Sequence, residues 1–269
     1  MSCKFYMFSC KHNFTWFRGV LALVGIFFSG IALTGCNQAV TTTTPTATTT
    51  PVAATTPIAA TAPTTAPAPV AAADVHTVGW TPQPLNFKVQ FPYNLKESDR
   101  YTFSGGIYHL WVYRTDLPLR THNKTKPRTE MRFPDYTSGW QQFSADVYVP
   151  SGTSGVCIMQ IHTGDKRPPH MHVGATIMMV FVIDGSLHFY SSKNIIATNI
   201  YNRWFHLNVM HNTKNNHIDI YVDGQLSYST IYRGKARDWY MKCGVYTQRG
   251  ASPEMQAYFH NVHLWSKED

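Results

Sequence analysis

The chain has 269 residues, of which 43% are hydrophobic and only 14% are charged, which excludes a charge-driven disordered protein. Its 17 glycines and 16 prolines favour many turns over long helices. The formal net charge of +8 favours an acidic partner, and the location of that charge decides which partner is expected.

The N-terminus predicts a cleaved lipoprotein signal. A basic segment without acidic residues precedes the apolar run "VLALVGIFFSGIAL" at 20–33, which is shorter than the roughly 20 apolar residues of a transmembrane helix. The run ends in "LTGC", which resembles the lipobox of bacterial lipoproteins. That resemblance implies removal of residues 1–35 and lipidation of Cys36, and Asn37 favours the outer membrane, with the domain in the periplasm or outside the cell. The alternative is a plain secretory signal beside a chance cysteine.

Residues 36–75 predict a disordered tether. From Asn37 to Ala73 the segment is almost wholly Thr, Ala, Pro and Val, without a charged or an aromatic side chain. Such a composition cannot bury a core and has polyproline character. At ~3 Å per residue it could hold a domain roughly 100 Å from its anchor. The lipid anchor is therefore the only predicted membrane contact.

Residues 76–269 are predicted to form one domain, expected to be a monomer. This domain holds all but three of the basic residues and all but one of the acidic residues, so its net charge is +6. The sequence has no Lys/Arg-rich helix and no recognisable nucleic-acid motif. The predicted partner is therefore an acidic polysaccharide rather than nucleic acid.

The domain is predicted to be all-β. Eleven or so runs are apolar or alternate in polarity, and none shows a sustained helical period. "IDGS" and "VDGQ" each join two runs through Asp-Gly, the signal for a tight hairpin turn. So many strands in one domain predict two stacked antiparallel sheets, in a sandwich or jelly roll. The runs are "LNFKVQF", "YHLWVYR", "WQQFSADVYV", "VCIMQIH", "TIMMVFVI", "SLHFYSS", "WFHLNVMHN", "HIDIYVD", "QLSYST", "WYMKCGVYTQ" and "AYFHNVHLW".

Three predicted strands each have a polar face and an apolar back, because side chains alternate along a strand. Ordinary half-exposed strands, with Glu130 pairing to arginine across strands, would explain any one of them. Solvated faces usually hold Thr, Ser, Lys and Glu, whereas these gather Arg, Gln, His, Lys and Tyr, which favours a site. The polar faces are Arg128, Glu130 and Arg132 in "PRTEMRF", Gln160 and His162 in "CIMQIH", and Tyr240, Lys242, Tyr246 and Gln248 in "YMKCGVYTQ".

These three strands together resemble the signature strands of the alginate lyases of polysaccharide lyase family seven. "RTEMR", "QIH" and "YMKCGVYTQ" occur in the family's order, where the patterns run close to R-T/S-E-L-R, Q-I/V-H and Y-F-K-A-G-x-Y-x-Q. Segments such as "FPYNLKESDRYTF" and "YVPSGTSGVCIMQ" are also similar to plant proteins described as citrate-binding, of the same fold superfamily. The resemblances cover about residues 78–266 and imply a β-jelly roll with a concave active-site groove.

The family resemblance implies β-elimination on a uronate polymer. A base removes the proton on the ring carbon beside the carboxylate, and the glycosidic oxygen leaves. Arg128 and Gln160 are the implied donors that neutralise the carboxylate and so stabilise the enolate-like transition state. His162 is the implied base, and Tyr246 is the implied acid, or both base and acid if the geometry is syn. No cofactor is predicted.

Further residues are predicted to bind substrate on the same face. By the same resemblance, Lys242 and Arg132 would bind neighbouring uronates or lower the pKa of the tyrosine, and Glu130 would hold the arginines in place. Gln248 shares the face of Lys242 and belongs to the predicted substrate-binding set.

The segment "TGDKRPPHMHV" at 163–173 has no counterpart in the family's pattern. Its Lys166 and Arg167 are predicted to contact the acidic sugar from a loop at the substrate's edge. His170 and His172 have no acidic or cysteine partner nearby in sequence, so no metal site is predicted. Four other residues are predicted to pack in the core or at its rim: Trp204, His206, His211 and Trp265.

The pairing of the two cysteines of the domain stays open. Cys157 and Cys243 are both predicted to face inward, on strands that the family places close together. A disulfide would suit an oxidising compartment. Two buried free thiols are the alternative, because a bridge needs Cα atoms within ~7 Å.

Two other classes of function are considered. The plant resemblance implies a non-catalytic protein that binds carboxylates or acidic polysaccharide, but the presence of His162 and Tyr246 favours an enzyme. A glycoside hydrolase needs paired carboxylates on a strand face, and Asp219 shares its parity only with Asp223, in a hairpin turn. The predicted function is a polysaccharide lyase acting on an alginate-like chain or on glucuronan.

Overall fold

The computed structural model describes residues 78–164 and 175–269, which form strands, turns and one three-residue 3₁₀ turn at Glu97–Asp99. In this part of the chain no helix is long and apolar enough to cross a membrane. The strands in chain order are β1 (Thr81–Gln83), β2 (Lys88–Gln90), β3 (Tyr101–Ser104), β4 (Ile107–Tyr113), β5 (Arg128–Tyr136), β6 (Trp140–Tyr148), β7 (Val156–Thr163), β8 (Thr176–Ile183), β9 (Ser186–Phe189), β10 (Ile195–Ala197), β11 (Trp204–Asn212), β12 (His217–Val222), β13 (Gln225–Ile231), β14 (Trp239–Thr247) and β15 (Glu254–Lys267).

The strands form two antiparallel sheets. One has eight strands in the order β13-β12-β11-β6-β15-β4-β3, with β1 paired to the far end of β15. The other has seven strands in the order β10-β9-β8-β7-β14-β5-β2. The predicted all-β jelly-roll sandwich is confirmed. Three adjacent strands of the seven-stranded sheet, β5, β14 and β7, carry the family-like motifs.

Both predicted Asp-Gly hairpin turns are present. Asp184 and Gly185 join β8 to β9 with φ values of 46° and 78°, and Asp223 and Gly224 join β12 to β13 with 51° and 78°. Two successive residues with positive φ form the turn whose twist matches that of the flanking strands. These short turns fix the register of each hairpin.

The core lies between the two sheets and is built from the apolar half of each alternating strand. Phe133 of β5 packs on Phe143 of β6, with ring centroids 5.9 Å apart, and so joins one sheet to the other. Phe205 and Phe259 are equally buried, at 1% and 0% exposure. Each such side chain contributes about 1.5–3 kcal/mol when it is fully buried. The opposite face of each sheet points away from this core.

The two cysteines are free thiols, and one of them does not face the core as predicted. A β-bulge between Cys157 and Met159 adds one residue to β7. The bulge turns Cys157 to the face of its partner Tyr246, while Cys243 stays in the core opposite Met159. The disulfide alternative and the inward placement of Cys157 are therefore wrong, because the extra residue reverses the alternation.

Gly244 of β14 allows a close approach to β5. It lies opposite Glu130 with φ +141°, and a Cβ added there would overlap the carbonyl oxygen of Thr129 and lie 2.7 Å from the Cα of Glu130. Any side chain at this position would push β14 and β5 apart.

The substitution Gly244→Ala is expected to lower the free energy of unfolding by about 1–3 kcal/mol, because the added methyl group overpacks the strand pair. Denaturant unfolding would measure this change. Gly152→Ala is the matched control, because Gly152 also has a positive φ of +89° but its Cβ would meet nothing within 4 Å. Equal losses in the two variants would show that backbone conformation, and not the close approach, sets the cost.

Candidate active site

Polar side chains from β5, β14 and β7 meet on the side of the seven-stranded sheet that faces away from the core. Lys242 of β14 lies between Arg132 of β5 and Gln160 of β7, and Tyr246 lies opposite Arg128. The sequence-predicted residues are therefore neighbours across three adjacent strands. We call this side the polar face, which consists of Arg128, Glu130, Gln160, His162, Lys242 and Tyr246.

A buried carboxylate is the centre of the polar face. Glu130 is 2% exposed and accepts hydrogen bonds from Gln160 Nε2, from Arg128 Nη1 at 3.4 Å and from Lys242 Nζ at 3.4 Å. Arg128 and Lys242 are themselves buried, at 6% and 2% exposure. With both cations protonated, two positive charges share one negative charge, so the network has a net charge of +1. A buried charge that lacks a partner costs several kcal/mol, so the network favours one further anion.

Arg128 is held flat on the ring of Tyr246. Its Cζ lies 3.8 Å from the ring centroid, a cation–π contact. Its buried Nε has no hydrogen-bond partner among the described residues. Arg128 is thus fixed in position and still has a donor to offer to an acceptor.

His162 lies at the other end of the polar face and is uncharged near neutral pH. Its Nδ1 lies 2.6 Å from the backbone carbonyl of Thr163, and a carbonyl can only accept, so Nδ1 carries the proton and Nε2 keeps its lone pair. The ring stacks on Tyr240 with centroids 4.8 Å apart. Burial, with a smaller contribution from the nearby Lys242, lowers the pKa of His162 to about 4. The arrangement provides a neutral imidazole with a basic Nε2.

The structure gives two residues of the polar face contacts that the sequence did not predict. Lys242 is buried against the carboxylate of Glu130, and burial lowers its pKa. The contact of Lys242 with a neighbouring uronate stays a prediction. Glu130 holds only one of the two arginines, because Arg132 pairs with Asp135 instead. The physical reason is that alternation along a strand predicts which face of the sheet a side chain lies on, but not how deeply it is buried there.

The remaining predicted substrate-binding residues lie at the edges of the polar face. Arg132 is partly exposed, and its Cζ lies 4.1 Å from the centroid of the Tyr240 ring. Gln248 donates from Nε2 to the carbonyl of Tyr246 at 3.3 Å. One of the two N–H groups of Gln160 is used by Glu130, while its buried Oε1 has no partner among the described residues. Gln160 therefore has one N–H group left for a ligand.

Two residues of the motif "YMKCGVYTQ" have roles that the sequence did not predict. Tyr240 was placed on the polar face without a role, and it stacks on His162 and lies under Arg132. Gly244, in the same motif, allows the strands to approach. Other sequence predictions fall outside the described residues and stay predictions: Cys36, Lys166, Arg167, His170 and His172.

A cavity of about 260 Å³ lies apart from the six residues of the polar face. Among the described residues, its lining includes Phe133, Tyr136, Met241 and Leu264 together with the carboxylate of Asp135, but no lysine or arginine. A cavity with this lining does not suit an anion. The described residues also contain no group of three or more His, Cys, Asp or Glu placed to hold a metal ion.

Comparison with known sequences gives two findings. The sequence model of a family described as alginate lyase matches residues 85–265. A curated protein of Hevea brasiliensis, named citrate-binding protein, is 38% identical over 199 residues, which cover 72% of this chain and 80% of the relative.

Solved structures of alginate lyases share the fold. Alginate lyase A1-II', a member of polysaccharide lyase family 7, gives a TM-score of 0.53 at 16% identity and covers 67% of this chain and 95% of its own. The alginate lyase from Corynebacterium sp. gives 0.51 at 15% identity, with coverage of 67% and 94%. At this identity the likeness concerns the fold alone.

The substitution Glu130→Gln is expected to destabilise the protein by about 3–5 kcal/mol, because it leaves buried cations without their carboxylate. Denaturant unfolding would measure the loss. Asp135→Asn is the matched control, because it removes the carboxylate of an ion pair whose side chains are 28% and 50% exposed. Such a pair contributes about 0–1 kcal/mol. Similar losses in both variants would contradict the central position of Glu130.

Proposed function

The chain belongs to the alginate lyase family, and on that premise we propose that it is a polysaccharide lyase that cleaves a uronate-containing, alginate-like polysaccharide by β-elimination. The observation that carries this proposal is the contact of the buried Glu130 carboxylate with two basic side chains, Arg128 and Lys242, which gives the network a formal charge of +1 when both are protonated. One substrate carboxylate would balance that charge. Its neutralisation is also the electrostatic task on which the elimination depends.

The carboxylate of the substrate would be held by fixed donors. The unpartnered Nε of Arg128 and the second N–H group of Gln160 both belong to side chains that existing contacts already position. Donors fixed before binding cost no reorganisation when negative charge moves onto the carboxylate in the transition state. This is how the polar face would acidify the proton on the neighbouring ring carbon.

The proton would be removed by His162 and the leaving oxygen protonated by Tyr246. Both groups must reach the same glycosidic bond, because the proton is taken from the ring carbon next to the carbon that loses the leaving oxygen. His162 and Tyr246 are both partly exposed on the polar face. The roles of His162 as base and of Tyr246 as acid, or of the tyrosine as both, are carried over from the family's motifs.

A non-catalytic carboxylate-binding protein is the second candidate. The relative from Hevea brasiliensis, at 38% identity, is named a citrate-binding protein. The same buried cations would suit a citrate carboxylate, whereas the lining of the 260 Å³ cavity has no cation. Citrate binding would use Arg128 and would not require the Nε2 of His162 or the hydroxyl of Tyr246.

Elimination can be assayed on polymannuronate, polyguluronate and glucuronan through the ultraviolet absorbance of the unsaturated product. We expect activity on at least one polymer, and His162→Ala and Tyr246→Phe each to lower kcat/KM by about 10²–10⁴-fold, the usual contribution of a general acid or base. Tyr246→Phe keeps the ring beneath Arg128. Tyr228→Phe, on β13 of the other sheet, is the matched control.

The assay separates the two candidates. No absorbance on any of the three polymers, together with tight calorimetric binding of citrate that Arg128→Ala abolishes, would establish the binding protein instead. Full activity in Tyr246→Phe or His162→Ala would leave the lyase standing and overturn the assignment of that residue.

The acid limb of kcat/KM is expected near pH 4. The profile of kcat/KM reports the pKa of the base in the free enzyme, and burial lowers the pKa of His162 to about 4 from its ordinary 6.5. Because His162 acts in its neutral form, activity should persist as the pH falls through 6.5 and should be lost below about 4. Initial rates at low substrate concentration would give the profile, with circular dichroism to confirm folding. An acid limb at pH 6.5 would contradict the buried base.

A further inference from the structure

The outer face of the eight-stranded sheet has a row of aromatic rings that the lyase chemistry does not use. His109, Tyr258, Tyr148 and Trp204 are direct cross-strand partners on β4, β15, β6 and β11. Successive ring centroids are 4.1, 5.8 and 5.6 Å apart. At ~4.8 Å between strands, the row is ~14 Å long. It is therefore long enough for an oligomer rather than a single small molecule.

The aromatic row is partly open to solvent and is uncharged near neutral pH. His109, Tyr148 and Trp204 are partly exposed, while Tyr258 is buried and supports them. Gln256 Oε1 accepts from the Tyr258 hydroxyl at 3.0 Å and lies 3.1 Å from His109 Nε2. Burial lowers the pKa of His109 to about 4, so its ring is neutral at pH 7.

A polar cluster adjoins the Trp204 end of the row. Asp146 lies 2.9 Å from His206 Nδ1 and accepts from Asn261 Nδ2 at 2.8 Å. The ring of His260 lies 6.2 Å from that of Trp204. Asn261 belongs to a β-bulge of β15 and has φ 50°, a conformation that a non-glycine residue adopts when its surroundings require it. The bulge brings its amide to Asp146.

We propose that this outer-face site, which consists of the aromatic row with Asp146, His206, His260 and Asn261, binds a neutral pyranose chain. Aromatic rings pack against the apolar faces of sugar rings, and planar polar side chains bond their hydroxyls. The site contains the carboxylate of Asp146 and no lysine or arginine, so a uronate is disfavoured. It would be a second carbohydrate site, on the other sheet from the polar face, and it does not depend on lyase activity.

Hydrolysis is a poorer explanation of the same residues. Ser144 Oγ lies 3.1 Å from His206 Nε2, so Ser144, His206 and Asp146 follow the order of a catalytic triad. Ser144 is 1% exposed and lies on β6 between two paired strands. A substrate carbonyl could not reach its hydroxyl. The contacts fix the orientation of His206 instead.

The full-length protein should be titrated by calorimetry with hexasaccharides of β-1,4-linked glucose, xylose and mannose. We expect at least one to bind, and Trp204→Ala to weaken that binding at least tenfold, or about 1.4 kcal/mol. Asn261→Gly should also weaken it, because glycine keeps the positive φ and removes the amide. Thermal unfolding would verify that both variants fold.

Two controls locate the site. Trp140→Ala changes a tryptophan of the same sheet that contacts Trp80, outside the row, and Arg128→Ala changes the polar face; neither should alter the affinity. Binding by none of the three hexasaccharides would overturn the proposal. So would a loss in Trp140→Ala or Arg128→Ala as large as in Trp204→Ala, or unchanged binding in folded Trp204→Ala and Asn261→Gly. Lyase activity in the wild type, present or absent, does not affect these outcomes.

Discussion

The polar face depends on a buried carboxylate that three donors share. Glu130 fixes Gln160, Arg128 and Lys242 at once, and these three side chains come from three adjacent strands of the sheet. When both cations are protonated, the network is complete in geometry but not in charge. The proposed preference for an anion therefore rests on the same contacts that fix the position of the site.

Because side chains alternate along each strand, the outer faces of the two sheets carry two different kinds of surface. On the seven-stranded sheet, the side chains that alternate with Met131 and Cys243 gather charge around Glu130. On the eight-stranded sheet, those that alternate with Phe143 and Phe205 gather aromatic rings and amides. One core therefore supports a charged surface on one side and a largely uncharged surface on the other. The two proposed sites would together suit a polysaccharide that has both uronate and neutral segments.

Much of the fold and part of the site follow from the sequence, because alternation and turn chemistry are local. The Asp-Gly turns and the apolar runs predict the hairpins and sheets, and residue parity brings Arg128 and Gln160 to one face. Burial depth and pairing are not local. Lys242 is buried because Glu130 lies beside it on another strand, and Cys157 changes face because a bulge adds a residue to β7. The sequence predicts only that Trp204 packs at the core or its rim. Its alignment with Tyr148 and Tyr258 depends on the pairing of strands that are distant in sequence.

The two unpaired cysteines bear on how the protein withstands its surroundings. Burial raises the pKa of both Cys157 and Cys243 well above the ordinary value, and the two side chains lie on opposite faces of their sheet. The thiolate is the form that oxidants and alkylating agents attack. Both thiols of the described residues are thus buried and protonated near neutral pH, so oxidants and alkylating agents would reach them only after the sandwich opens.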